Sequence, residues 1–280
     1  MAENQRDKIS VRLVSDEKIA ETSSKGNQEK WQENGRWYKL DQYGYEALSE
    51  TAISALLEES NIEKDFPFTF VKYRMEKINV HGRCMTGCSS ENFLHPDENI
   101  ITLSRLFKNY YTKPMKEILM KLPNDRARYR YIVEAVEDIT GLEEFNRYFA
   151  LLMEVDSLFV NDDRHLNNIA VLEKQGSFSY CPIFDNGAGL LSNMIYSPMD
   201  IQPKALISAL RARPVNTTFN RQVTLMRSLY GRQLDIPEFT RKQIFDLLSP
   251  MLEYYPERDR LLLANRIAEV IHLRQTAMRK

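Results

Sequence analysis

The chain has 280 residues, enough for one large domain or two lobes around a substantial core. Hydrophobic residues make up 43% and charged residues 28%, the profile of an ordinary globular protein. A net charge of −1 gives no global attraction to nucleic acid or to an anionic membrane, so direct nucleic-acid binding is not expected.

No stretch approaches the roughly 20 apolar residues of a membrane-spanning helix. The polar opening, Met1 to Ser10, leads into no signal-peptide core, so a cytoplasmic location is expected, with export by a signal-free route left open. Three cysteines, Cys84, Cys88 and Cys181, are too few for a disulfide framework. Cys84 and Cys88 lie near His81 and His95, but the spacing matches no strong zinc pattern, and reduced thiols in a loop are the expectation.

In chain order, Ser10 to Val14 reads as a strand and residues 21–28 as a polar, turn-rich loop. Glu29 to Glu33 and Arg36 to Leu40 flank Asn34-Gly35, whose tolerance of positive φ predicts a tight hairpin. Tyr45, Leu48, Ala52, Ile53, Leu56 and Leu57 recur at helical spacing, and Phe68 to Tyr73 reads as a further strand.

Helices are predicted around Leu103 to Tyr111 and Arg128 to Ile139, and a buried one from Phe145 to Phe159. The last of these runs into Asp163-Arg164-His165-Leu166-Asn167-Asn168. Ile169 to Leu172 and Phe178 to Phe184 form a second hairpin about Gln175-Gly176, followed by Asp185-Asn186-Gly187. From about Pro203 onward the pattern is helical, and the carboxylates and arginines of that tail read as a solvated face. The fold class is therefore α+β, with a small sheet and one helix first and a mostly helical body after.

Asp163 and Asn168 are separated by four residues, and a hairpin returns Asp185 to the same neighbourhood. Phosphoryl transfer needs such a set: a carboxylate to accept the proton of the attacking hydroxyl, and an amide oxygen plus a second carboxylate as hard ligands for magnesium. Taken singly, each is also an ordinary loop residue. His165 suits orientation of Asp163 or contact with a terminal phosphate, and Arg164 suits pairing with a carboxylate or phosphate. Lys39, on a strand after a Gly-containing loop, can reach α- and β-phosphate oxygens. Glu50 on the following helix is its candidate partner, with Glu46 one turn earlier as the rival. Ser23, Ser24, Lys25 and Gly26 could fold over phosphates through backbone N–H groups and hydroxyls.

These motifs together resemble the HipA-like Ser/Thr protein kinases, especially the shorter CtkA-type members. Residues 23–30 are similar to that family's Ser-x-x-Gly-x-Gln-x-Lys loop, Trp37-Tyr38-Lys39 to its lysine strand, and Ser49-Glu50 to the start of its acidic helix. Asp163 to Asn168 matches its Asp-x-His-x-x-Asn loop, an order shared with phosphoinositide-type lipid kinases. Pro182 to Gly187 is similar to its metal-binding segment, with Asp185-Asn186-Gly187 where eukaryotic kinases have Asp-Phe-Gly.

The resemblance implies a two-lobed protein-kinase-like fold. Residues 1–95 would form an N-lobe with phosphate loop, ATP lysine and hinge, and residues 96–280 a helical C-lobe. It further implies ATP and magnesium as cofactors, with Asn168 and Asp185 as metal ligands and Asp163, His165 and Lys39 as catalytic residues. Adenine would lie against Val71 to Tyr73, near Glu91-Asn92-Phe93. A protein substrate and an antitoxin-like regulator are the implied partners, and phosphorylation of Ser23 a means of self-inactivation. The competing readings are a pseudokinase acting as an interaction module, a phosphotransferase on a lipid or small molecule, and a DNA-bound regulatory component.

Overall fold

Asn34 and Gly35 both take positive φ, 49° and 73°, and the flanking strands pair in register with Lys30 opposite Lys39 and Trp31 opposite Tyr38. The chain is described by a computed structural model covering residues 11–13, 29–80 and 82–279. Strands β1 (Val11–Leu13), β2 (Lys30–Glu33), β3 (Arg36–Leu40), β4 (Tyr73–Val80) and β5 (Arg83–Glu91) form one sheet in the order β1-β4-β5-β3-β2. The β1–β4 pair is parallel and the others antiparallel.

Period-two alternation divides the two faces of this sheet. Trp31, Tyr38, Leu40, Ile78 and Val80 gather in a small apolar cluster, with the Trp31 and Tyr38 rings stacked at 5.4 Å. Lys39, between Tyr38 and Leu40, projects to the opposite face, towards helix α1 (Glu46–Leu57). Eleven of the twelve α1 residues are buried, because the helix lies between β4 and β5 on one side and the C-terminal body on the other. The short α2 (Ile62–Asp65) follows it.

The remainder is mostly helical. Strands β6 (Asn99–Thr102), β7 (Ala170–Lys174) and β8 (Ser177–Tyr180) make a small antiparallel sheet. Around it run α3 (Leu103–Tyr110), α4 (Met115–Lys121), α5 (Asp125–Thr140), α6 (Phe145–Phe159), α7 (Pro203–Ala209), α8 (Phe219–Tyr230), α9 (Arg241–Leu252) and α10 (Glu257–Met278).

Helix α6 is the spine, with thirteen of its fifteen residues buried. Each large apolar side chain there contributes about 1.5–3 kcal/mol of burial. It ends at Val160, a β-branched residue with φ 58°, a conformation that costs roughly 1–3 kcal/mol and turns the chain sharply into the Asp163 loop. The expected α+β, two-lobed fold is the observed one.

Three local expectations are corrected. Phe68 to Tyr73 is not a strand: β4 begins only at Tyr73, and Phe70 makes a single bridge to Ile183 that joins the two lobes. Its apolar run packs under both lobes rather than along one sheet. Cys84 and Cys88 sit on β5, not in a loop, with Cys84 exposed and Cys88 buried. The arginines of the helical tail are not all solvated. Arg266 is buried and donates to the Ser197, Pro198 and Ile201 carbonyls, and buried Arg274 donates to Ser157 O. Their long stems cross the core and their forks satisfy carbonyls that no helix ladder reaches.

Candidate active site

The lobes meet at Lys39. Its Nζ lies 2.5 Å from Glu50 Oε1 and 2.7 Å from Asp185 Oδ1, with Tyr73 Oη at 3.5 Å. Strand alternation aims Lys39 at α1, and the β7–β8 hairpin returns Asp185 beneath it. Glu50 is fixed from its other side by the Asn186 backbone N–H, 2.8 Å from Oε2. Glu46 is excluded as the partner: its carboxylate accepts from the backbone N–H groups of Gln42, Tyr43 and Gly44, capping the loop before α1.

That loop is stitched to the segment after Asp185. A Cβ on Gly44 would stand 2.0 Å from Ser192 O, so only glycine admits this approach. Ser49 Oγ donates to the Asn186 and Gly189 carbonyls, and Tyr45 Oη to Leu190 O.

The Asp163 loop is organised around Arg164, whose side chain is 1% exposed. Its guanidinium binds both oxygens of fully buried Asp156, at 3.0–3.1 Å, and the Asn168 carbonyl at 3.0 Å. It also reaches Phe184 O at 2.5 Å and Asn186 Oδ1 at 2.6 Å, the residues on either side of Asp185. One cation thus joins the end of α6, the far end of the loop and the segment carrying Asp185. Asn161 adds a second tie, donating to Asp185 O at 3.2 Å and accepting from Asp163 N–H at 3.2 Å.

Asn168 Nδ2 donates to Asp163 O at 2.9 Å, which leaves its Oδ1 available as a ligand. His165 Nε2 stands 3.6 Å from Asp163 Oδ1, and its buried Nδ1 has no partner.

Burial opposes the charge on Asp185, but Lys39 and Lys30 overcome it and hold this carboxyl well below the usual carboxylate range. Burial likewise opposes the Lys39 charge, yet Asp185 and Glu50 raise its pKa well above the ordinary lysine value. Glu50 is raised because burial outweighs the pull of Lys39. Burial also lifts Asp163, with His165 pulling it back and Asp185 adding to the rise. Asp162, next to it, is pushed up to about 6 by burial and by the Asp163 charge.

Lys39, Glu50, Tyr73 and Asp185 are therefore together, and Asp163, His165 and Asn168 share one loop beside them. Val71 is buried at the lobe junction, its N–H donating to Ile183 O. Ser23, Ser24, Lys25 and Gly26 lie outside the described residues.

The donor set suits magnesium: an ionised carboxylate and an unengaged amide oxygen, with phosphate oxygens and water left to complete the shell. Among the described residues no three His, Cys, Asp or Glu side chains cluster as a ready-made metal site. The sequence reasoning gave no role of its own to Lys30, the last residue of the 23–30 motif, which the hairpin register places opposite Lys39, and it did not identify Asp156 as the partner of Arg164. A lone Asp in the apolar run of α6 is the signal that could have found the pair, since a buried carboxylate requires a cation.

No family model matches the sequence, and no curated protein matches it. Solved structures do. The crystal structure of the Helicobacter pylori proinflammatory kinase CtkA is similar over 90% of this chain and 93% of that one, with a TM-score of 0.57 at 13% identity. HipA in the Shewanella oneidensis toxin–antitoxin complex with HipB and operator DNA is similar over 91% of this chain and 64% of that one, with a TM-score of 0.48 at 12% identity. Among the described residues, no helix is long and apolar enough to cross a membrane. The chain has a two-lobed α+β fold similar to that of the CtkA structure.

Proposed function

We propose that the chain is a Ser/Thr protein kinase that uses ATP and magnesium. The observation that carries this reading is that Lys39 Nζ lies within 2.7 Å of both the Glu50 and the Asp185 carboxylates, beside a loop that presents Asp163. In this reading residues 1–95 hold the nucleotide and residues 96–280 carry the transfer machinery. Lys39, held by Glu50, orients the α- and β-phosphates. Asp163 takes the proton of the attacking hydroxyl. The hydroxyl oxygen bonds to the γ-phosphorus as the bond to the β–γ bridging oxygen breaks, and ADP leaves. His165 keeps Asp163 ionised and directed. Asp185 and Asn168 are the residues that would hold magnesium, which when bound neutralises charge on the phosphates.

The preference for a protein hydroxyl, an antitoxin-like regulator, and self-phosphorylation at Ser23 belong to the same proposal and follow from the motif resemblance. The test is incubation with labelled ATP and magnesium. Label transferred to the chain or to an added protein, and lost in Asp163→Asn with nucleotide binding retained, is expected. Nucleotide-dependent thermal stabilisation with no transfer under any condition would leave an ATP-binding module instead.

A further inference from the structure

Positive charge is dense in two stretches of the chain, residues 103–130 and 201–234; in the second, Arg221, Arg227 and Arg232 are already paired with carboxylates. Between residues 103 and 130 stand eight lysines and arginines against two carboxylates, Glu117 and Asp125, so the remainder of a chain of net charge −1 nets −7. Helices α3 and α4 carry much of this charge on their outer faces. Leu103, Leu106, Phe107, Met115 and Leu119 turn to the core, whereas Arg105, Lys108, Lys113, Lys116 and Lys121 are exposed. None of these five cations forms an ion pair among the described residues. Asp125 is already committed to Arg128 at 3.0 Å and Arg221 at 2.8 Å. Two large apolar side chains stand out on the same helices, Tyr110 at 58% and Met120 at 70% exposure.

The start of α3 abuts the Asp163 loop. Leu103 N–H donates to Ile169 O at 2.8 Å and Ser104 N–H to Leu166 O at 3.0 Å, and Leu166 lies between Asp163 and Asn168. The cationic face therefore begins at the edge of the candidate active site. Unpaired cations interspersed with exposed apolar side chains recognise an acidic segment that carries apolar residues. A long nucleic acid or an extended anionic membrane would run past the patch onto the rest of the molecule, where outside the two cationic stretches carboxylates outnumber cations. A short acidic stretch of polypeptide meets the patch alone.

We propose that the outer faces of α3 and α4 dock an acidic segment of the polypeptide substrate and deliver its hydroxyl to the adjoining loop. The substrate role rests on the kinase reading; the docking does not. The probe is a short fluorescent peptide with a serine among glutamates, aspartates and one leucine. Its comparators are the same peptide with lysines for the acids, oligothymidylate, and phosphatidylserine vesicles. The acidic peptide is expected to bind best, to weaken as salt is raised, and to lose about tenfold or more in the triple variant Lys108→Glu, Lys116→Glu, Lys121→Glu. In turnover the same variant raises KM for that peptide and keeps kcat. Should the triple variant fail to fold, Lys116→Ala with Lys121→Ala serves, with a smaller loss expected.

Equal binding of the acidic and lysine peptides, undiminished binding by the variants, or tighter binding of oligothymidylate or vesicles overturns the proposal. Patch-dependent peptide binding with no phosphoryl transfer to anything would overturn the kinase reading and leave the docking surface standing.

Discussion

Glu50, Arg164 and Asp156 have side chains at most 1% exposed, whereas Asp163 and His165 keep 60% and 46% of theirs in solvent. The buried half of the site exists only as compensated networks. Each charge there faces an opposite charge or a ring of carbonyls, as removal from water demands. The exposed half is held by backbone and amide hydrogen bonds, which fix the loop while leaving the Asp163 carboxylate open to solvent. On the kinase reading, one set of charges is spent on geometry and the other is kept for chemistry, so substitutions in the two halves should fail in different ways.

The largest effect is expected from Asp163→Asn. On the kinase reading, loss of a general base lowers kcat by about 10²–10⁴, while the melting temperature and nucleotide affinity hold. A large drop in melting temperature would move Asp163 into the structural half. In the parent protein partial desolvation and the Asp185 charge raise the Asp163 carboxyl, although much of its side chain meets solvent, and on the kinase reading the base works only when ionised. The acid limb of kcat should therefore lie above the ordinary aspartate range of about 3.9. His165→Gln, which removes the opposing charge, should move that limb to still higher pH.

Arg164→Met should do the reverse, unfolding the protein rather than leaving an inert fold. It strands Asp156 in the core and frees the Asn168 and Phe184 carbonyls, and breaking such a pair costs about 3–5 kcal/mol. Denaturant titration measures this directly, and a loss under about 1 kcal/mol would show that the pair behaves like a surface one.

The two glutamates of α1 sharpen the contrast within a single helix. Glu50→Gln removes the charge-assisted contact to Lys39, worth about 1.5–3 kcal/mol, and should appear as weaker nucleotide binding. Glu46→Gln disturbs only the cap on residues 42–44 and should lower stability while sparing nucleotide affinity per folded molecule. Identical profiles for the two would refute the assignment of Glu50.

A pH effect concerns Asp41, which accepts from Ala47 N–H and from Tyr255 Oη, both at 2.6 Å, tying the loop before α1 to the C-terminal body. Burial pushes its carboxyl up to about 8. Between about pH 4 and 8 the folded chain thus holds a proton that the unfolded chain releases, and its contribution to stability declines as pH rises through that window. Asp41→Asn should flatten the decline in melting temperature measured across it. An unchanged slope would mean that Asp41 does not carry this proton.

The hairpin at Asn34-Gly35, the amphipathic α1 and the apolar α6 were all legible, because each is set by local backbone preference and periodicity. The residues proposed for the chemistry were legible as a pattern, through the spacing of Asp163, His165 and Asn168 and the return of Asp185, and the structure places Asp185 against Lys39 and the other three on one loop. The β5 strand and the true start of β4 were not. Cys84-Met85-Thr86-Gly87-Cys88 has no clear alternation, and Gly87, which weakens a strand signal, is required there because a Cβ would meet Lys39 O at 2.4 Å. Arg164 could be read as a pairing residue, but not as the hub that it is.

By itself the sequence determined which elements form and which chemical groups are present, since turn residues, periodicity and motif spacing act over a few residues. Only the tertiary structure decided that Glu50 rather than Glu46 meets Lys39, that Arg164 lies buried between Asp156 and the neighbours of Asp185, and that α3 starts against the Asp163 loop. Those choices depend on how far apart in space the packed elements bring charges distant in the chain. Whether a charge can be buried is settled by the partners that packing supplies.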